Sequence, residues 1–127
     1  MNPLSEFPCP IEKAQEILGK KWSILLIRDM YAGKSKFTDF LTVNPKLSTR
    51  MLALRLRELE ENGFLDKKIV SKTPLRAEYF LSKKGYSARK ILLALSLFSL
   101  EFHPDFEMNM KQQQFVQSSL ITYFSKD

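Results

Sequence analysis

Apolar residues between Pro10 and Tyr31 recur at intervals of three and four, which is the period of an amphipathic helix. Gly19-Lys20-Lys21 interrupts the pattern, so it predicts either two helices or one broken helix. A shorter apolar face follows over residues 36–43 and ends at Asn44-Pro45, where a helix does not continue. This second stretch predicts a helix of about two turns.

The strongest helical pattern begins after Ser48, a residue type that caps helix N-termini. Leu52, Leu56 and Leu59 recur along it among charged residues, and Asn62-Gly63 suits its C-terminal end. These features predict an amphipathic helix whose leucine stripe packs on the core of the domain.

Two stretches rich in β-branched and aromatic residues, 64–70 and 77–81, flank the polar segment Ser71–Arg76. They predict two strands joined by a polar loop, which together form a basic β-hairpin. A long helix is expected from Tyr86 to about Phe102, and a last helical segment ends near Phe124.

This order of elements predicts a mainly α fold with a small β-hairpin, an α+β winged helix-turn-helix. A chain of 127 residues and 14.8 kDa is the size of one domain. We expect a single domain over residues 1–127, with the helix-turn-helix at 36–62, the wing at 64–82 and flanking helical segments at 1–32 and 86–127.

The positive charge of the chain is concentrated in one region. The chain carries 20 Lys or Arg and 14 Asp or Glu, a net charge of +6. Residues 46–90 hold 12 of the basic side chains and 5 of the acidic ones, a net +7, whereas the rest of the chain carries −1. Such a positive region is typical of a polyanion binder, and double-stranded DNA is the leading candidate partner.

A helix that follows a turn in this fold can enter the major groove with its N-terminal residues against the bases. The face opposite the leucine stripe offers hydroxyl and guanidinium donors and apolar contacts for a thymine methyl group. Lysines of the hairpin suit phosphates, and an arginine at its loop suits a narrow minor groove. The predicted DNA-contacting residues are Lys46, Ser48, Thr49, Arg50, Ala53, Leu54, Arg57, Lys68, Lys72 and Arg76.

Catalysis and metal binding find little support in the sequence. The single Cys9 cannot form an internal disulfide, and His103 is the only histidine, so neither a zinc cage nor an arranged nucleophile and base is expected. We predict that the protein is not an enzyme and needs no cofactor. No apolar run is long enough to span a bilayer and the first residues lack a secretory pattern, so we expect a cytoplasmic protein without a membrane partner.

Four ordered motifs extend this interpretation. They are Cys9–Ala14 with Ile17–Trp22, then Phe37–Leu41, then Ser48–Leu65, and finally Arg76–Gly85, which contains Glu78-Tyr79 and Lys84-Gly85. On these motifs the chain resembles the HxlR-type winged-helix regulators of the MarR-like group, over about four fifths of its length.

The resemblance implies a homodimeric transcription factor that binds a palindromic operator and dimerises through the terminal segments 1–32 and 86–127. It also places Cys9 where some members carry a thiol redox sensor. The alternative for Cys9 is a small packing residue. Because the chain has no second cysteine, a switch would need a disulfide to the partner subunit or to a small thiol.

The basic region also fits two functions besides sequence-specific regulation. The protein can be a non-specific DNA architectural protein, or a winged-helix interaction module whose basic face meets an acidic protein. Arg55 can pack or form an internal ion pair instead of contacting DNA. No pattern assigns a small-molecule effector. Five phenylalanines of the C-terminal region can line a ligand cavity, but at helical spacing they fit a core or a dimer seam better: Phe98, Phe102, Phe106, Phe115 and Phe124.

Overall fold

The computed structural model describes residues 2–5 and 8–126. Its helices are α1 (Pro10–Leu18), α2 (Ser23–Tyr31), α3 (Phe37–Val43), α4 (Thr49–Glu61), α5 (Lys83–Ser87), α6 (Arg89–Phe102) and α7 (Met110–Phe124), with short 3-10 turns at Pro3–Ser5 and Pro104–Phe106. Strands β1 (Leu65–Lys72) and β2 (Leu75–Leu81) form an antiparallel hairpin between α4 and α5. The predicted α+β winged helix-turn-helix is therefore confirmed.

The chain divides into two compact units, one ending at Tyr86 and the other beginning at Ser87. In the first unit α2, α3, α4 and the hairpin pack around a core that includes Leu26, Ile27 and Phe40, none of which is exposed. In the second unit α6 packs against α7. The boundary falls beside the start of the terminal segment 86–127 assigned from the sequence.

Helix α4 follows its sequence pattern closely. Leu52, Leu56 and Leu59 are buried, and the Ser48 Oγ accepts a hydrogen bond from the Met51 backbone nitrogen at 3.1 Å. This is the N-terminal cap predicted from the serine. The buried stripe fixes which face of α4 points outward.

The hairpin loop is shorter than predicted. The expected loop Ser71–Arg76 reduces to the two residues Thr73-Pro74, because Ser71 pairs with Arg76 and Lys72 with Leu75. The register shifts between Ile69 and Ser71, as in a β-bulge. The distal hairpin is largely exposed, so polar side chains fit strand positions there as well as they fit a loop.

The sequence predicted one continuous helix from Tyr86 to about Phe102, and this prediction was wrong, because the structure has two helices there. Helix α5 begins earlier, at Lys83, and ends at Ser87, and α6 starts at Arg89. The backbone nitrogen of Ile91 donates to the Ala88 carbonyl, an i,i+3 bond that winds more tightly than an α-helix and marks the break. The Ser82 hydroxyl accepts from the Gly85 nitrogen at 3.1 Å, which explains the earlier start.

Ser23 provides a stability test. Its side chain is fully buried, and within residues 2–5 and 8–126 its Oγ is the buried side-chain polar atom without a hydrogen-bond partner. An unsatisfied buried hydroxyl costs about 1–3 kcal/mol. We therefore expect Ser23→Ala to raise the free energy of unfolding by about 1 kcal/mol in urea titrations at fixed protomer concentration.

Ser35→Ala is the matched control. The Ser35 Oγ donates to Glu78 Oε1 at 2.9 Å, so the same truncation should lower the free energy of unfolding there. Equal or greater loss of stability in Ser23→Ala would contradict the prediction.

Candidate nucleic-acid interface

The outward face of α4 carries all the residues predicted to contact base edges. Thr49, Arg50, Ala53 and Arg57 are exposed, and Leu54 is a large apolar side chain with 43% exposure on the same face. The Ser48 hydroxyl oxygen accepts the capping hydrogen bond from the Met51 nitrogen, and its hydrogen is still available to donate to a phosphate. The buried leucine stripe and this exposed face give α4 the form of a recognition helix.

Arg55 lies on the inner side of α4. Its Nε donates to the Lys21 carbonyl oxygen at 2.7 Å, and its Nη1 lies 3.3 Å from Glu58 Oε1. Lys20 Nζ approaches the other oxygen of Glu58 at 3.1 Å. Arg55 thus both packs and forms an ion pair, and it ties α4 to the turn between α1 and α2.

Charge is separated along α4. Arg50 and Arg57 lie exposed in its first nine residues, whereas Glu60 and Glu61 lie exposed at its C-terminal end. The first turn has no acidic residue and the last turn has no basic residue. The N-terminal end of α4 is therefore its positively charged end.

The wing presents the predicted cations. Lys68, Lys72 and Arg76 are exposed, but Arg76 lies in β2 opposite Ser71 and not in the loop where the sequence pattern placed it. The Lys68 Nζ lies 5.0 Å from the centre of the Phe80 ring. Lys46, in the turn between α3 and α4, is exposed as well. Exposed lysine and arginine side chains suit contacts to phosphates.

An open groove of about 760 Å³ lies between α3 and the hairpin. Its lining includes three cations, Lys36, Lys67 and Arg76, together with Thr38. A backbone bridge pairs Lys36 with Glu78, and the Tyr79 nitrogen donates to the Ser35 carbonyl at 2.9 Å. These contacts bring Lys36 and Thr38 to the wing.

Sequence reasoning missed Lys36 and Thr38 as candidates for backbone contacts. They lie about forty residues before the strand that they meet, and neither stands in a basic run. The pairing of the segment before α3 with β2 is a long-range contact, so no local pattern reveals it.

Tyr79 lines the same groove and supports a pH test. Burial raises the pKa of its hydroxyl above the usual value of 10.0, and the Glu60 carboxylate raises that pKa further. Below pH 10 both the folded and the unfolded chain keep the proton. Above it the unfolded chain loses the proton first, so this group's share of the stability falls as pH rises through the pKa of the folded protein.

We expect the free energy of unfolding of Tyr79→Phe to fall less steeply between about pH 9 and pH 11 than that of the native chain. All other ionisable groups are the same in both proteins, so the difference between the two curves isolates Tyr79. Chemical denaturation at several pH values measures it, and parallel curves would refute the assignment.

Cys9 lies apart from α4 and the wing in the sequence and stands at the N-cap position of α1. It is partly exposed, and its side chain makes no capping hydrogen bond. Lys13 in the same helix pairs with Glu16 at 3.4 Å. Cys9 is a free thiol.

The C-terminal phenylalanines do not form a core. Phe124 is buried, but Phe98, Phe102 and Phe115 are 65%, 68% and 74% exposed, and Phe106 is 43% exposed. Phe98 and Phe102 lie on one face of α6, with their ring centres 5.5 Å apart and their planes tilted by 53°. Exposed aromatic side chains in such number are typical of a surface that another molecule covers.

Neither a metal cluster nor a membrane-spanning helix occurs in the part of the chain that the structure describes. Residues 2–5 and 8–126 contain no group of three or more His, Cys, Asp or Glu side chains arranged to hold a metal ion. Within the same ranges, no helix combines the length and the apolar character needed to cross a bilayer.

Known proteins share this architecture. A curated relative, the uncharacterized HTH-type transcriptional regulator sll1512 of Synechocystis sp., is 36% identical over 87 residues, which cover 68% of this chain and 64% of that protein. The reduced form of the transcriptional regulator YodB from B. subtilis superposes with a TM-score of 0.66 at 30% identity, covering 78% of this chain and 98% of that chain.

The redox regulator HypR in its oxidized form superposes with a TM-score of 0.68 at 32% identity, covering 75% of this chain and 98% of that chain. The family model described as HxlR-like helix-turn-helix matches residues 17–106, which include α2 to α6 but not α7. The chain therefore belongs to the HxlR-like helix-turn-helix family.

Proposed function

We propose that the protein is a transcriptional regulator that binds a palindromic operator as a homodimer in the cytoplasm. The observation that carries this proposal is the exposed basic face of α4, held outward by its buried leucine stripe and flanked by the cations of the wing. The HTH-type regulators to which the chain is similar support the same function.

In the proposed complex, the two α4 helices of a dimer enter successive major grooves about one helical turn apart. Thr49, Arg50, Leu54 and Arg57 contact base edges. Arg76 enters a minor groove, while Lys46, Lys68 and Lys72 neutralise phosphates, with Ser48 at the N-terminal end of α4. Release of counterions from the phosphates supplies much of the affinity.

The dimer is proposed to form through the terminal segments. The exposed faces of α6 and α7, with Phe98, Phe102 and Phe115, supply apolar area for a second copy to cover. A change in the separation of the two recognition helices would remove one set of DNA contacts and so regulate binding. HypR is described as a redox regulator, and Cys9 is the thiol through which oxidation would act in this chain.

Selection of binding duplexes from a random pool tests the proposed function. The purified protein should enrich a palindromic sequence, and its affinity for the selected duplex should fall steeply across a salt series. It should prefer that duplex to a scrambled one by about a thousandfold or more. Equal binding to both would favour the architectural protein, and no binding at low salt would favour the interaction module.

Two arms of the same experiment test assembly and redox control. Sedimentation equilibrium should give twice the protomer mass. Hydrogen peroxide should weaken binding to the selected duplex in the native chain but not in Cys9→Ser. An equal response of both proteins would remove Cys9 from the proposal.

A further inference from the structure

A polar network lies beneath the turn that leads into α4, with its carboxylate and amide buried and its arginine side chain 43% exposed. Asp29 of α2 and Asn44, at the end of α3, are 3% and 5% exposed. The Asn44 Nδ2 donates to Asp29 Oδ2 at 2.7 Å, and the Arg28 Nη2 donates to Asn44 Oδ1 at 3.1 Å. A carboxylate, an amide and a guanidinium thus meet where α2 faces the turn.

Every polar group of Asn44 has a partner. Besides its contacts with Asp29 and Arg28, the Nδ2 donates to the Phe40 carbonyl at 2.9 Å, and the backbone nitrogen donates to the same carbonyl at 3.1 Å. The Asn44 carbonyl accepts from the Leu47 nitrogen at 3.0 Å. The side chain therefore links the last turn of α3 to α2, and the backbone links it to the residue before the Ser48 cap.

Arg28 fixes the other end of the network. Its Nε donates to Asp29 Oδ1 at 2.9 Å, and its Nη2 lies 2.8 Å from the same oxygen. The buried carboxylate is therefore paired in charge and bonded at both oxygens. Each bond has a direction, unlike an apolar contact, so the network permits fewer positions of the turn than apolar packing would.

We propose that Asp29 and Asn44, with Arg28, are positioning residues that set where α4 begins and how it is aimed at the bases. The inference rests on the proposed function and adds a determinant of specificity that touches no DNA. Base contacts depend on placement to within about half an ångström, and Thr49 and Arg50 stand within six residues of Asn44. Loosening the turn shifts these side chains relative to the base edges.

The test compares discrimination instead of affinity. Asn44→Asp keeps the shape of the side chain but removes its donor and places a second carboxylate against Asp29. We expect the ratio of affinities for the selected and scrambled duplexes to fall by about tenfold or more. Affinity for the scrambled duplex, which depends on phosphate contacts, should change less than about threefold. Both affinities scale with the same folded fraction, so their ratio does not report loss of stability.

The exchanged pair supplies a rescue. In Asp29→Asn combined with Asn44→Asp, an amide again donates to a carboxylate and Arg28 remains beside both, although the bond from residue 44 to the Phe40 carbonyl is not restored. We expect this double variant to recover at least half of the lost discrimination, measured on a logarithmic scale. Ile27→Val, in the same helix and fully buried, is the matched control: it should lower the melting temperature while keeping the native ratio.

An unchanged ratio in Asn44→Asp would overturn the inference, as would an exchanged pair no better than the single variant. Both results would leave the proposed function standing, because the native protein still discriminates. If the native protein itself prefers no duplex, the proposed function and this inference fail together.

Discussion

Replacing Phe40 by alanine is expected to lower the free energy of unfolding by about 3–5 kcal/mol. Phe40 has no exposed surface, and its ring meets the Tyr79 ring edge-on at 6.3 Å between centres. The variant loses the transfer energy of the ring, the aromatic pair and the packing around the new cavity. Because the whole free energy of unfolding of a domain of this size is about 5–15 kcal/mol, we expect a large loss of folded protein at moderate temperature.

Urea unfolding followed by circular dichroism, at one protomer concentration, measures the effect. Phe80→Ala is the matched control, since it makes the same truncation on β2 at a side chain that is 39% exposed. Phe80→Ala should lower the free energy of unfolding much less than Phe40→Ala does. Equal losses in the two variants would mean that Phe40 is not the centre of the core of the first unit.

Removing the guanidinium of Arg50 or Arg57 is expected to weaken binding to the selected duplex by about 1–3 kcal/mol each and to relax its sequence preference. Both side chains are exposed, and among residues 2–5 and 8–126 neither forms a salt bridge. They are therefore available to the acceptors of guanine in the major groove.

Two control variants separate base contacts from charge. Lys72→Ala on the wing should weaken binding to selected and scrambled duplexes alike and reduce the salt slope by about 1. Lys111→Ala, on α7 outside the proposed DNA-contacting face, should leave both affinities unchanged, with sedimentation equilibrium confirming that this variant has the same mass as the native protein. If Arg50→Ala and Arg57→Ala lower both affinities equally, these arginines contact phosphates and do not determine sequence preference.

Local pattern predicted the elements whose contacts are local. The spacing of Leu52, Leu56 and Leu59 and the Ser48 cap located α4 to the residue, because an amphipathic helix is specified by its own sequence. Exposure of the opposite face follows from the same period. The sequence predicted the tertiary contacts of that helix less well. It left Arg55 either packed or ion-paired, and no spacing rule predicts its bond to the Lys21 carbonyl.

Prediction failed where a partner is remote in the sequence. Asn44 before Pro45 indicated only a turn, because Asp29 lies fifteen residues away on another helix. Lys36 reaches the wing through a bridge to Glu78, which depends on the packing of α3 against β2. The hairpin loop was overestimated since an exposed ribbon accepts polar residues on both faces, so composition alone does not mark where pairing ends.

The charge order of α4 opposes its own dipole. Acidic side chains near a helix C-terminus are unfavourable, yet Glu58, Glu60 and Glu61 lie there while the N-terminal part carries arginines. Near a polyanion, this arrangement exerts a torque on the approaching protein, which turns the N-terminal end of α4 toward the duplex before contact. Productive encounters then become more frequent, so added salt slows association more than it speeds dissociation.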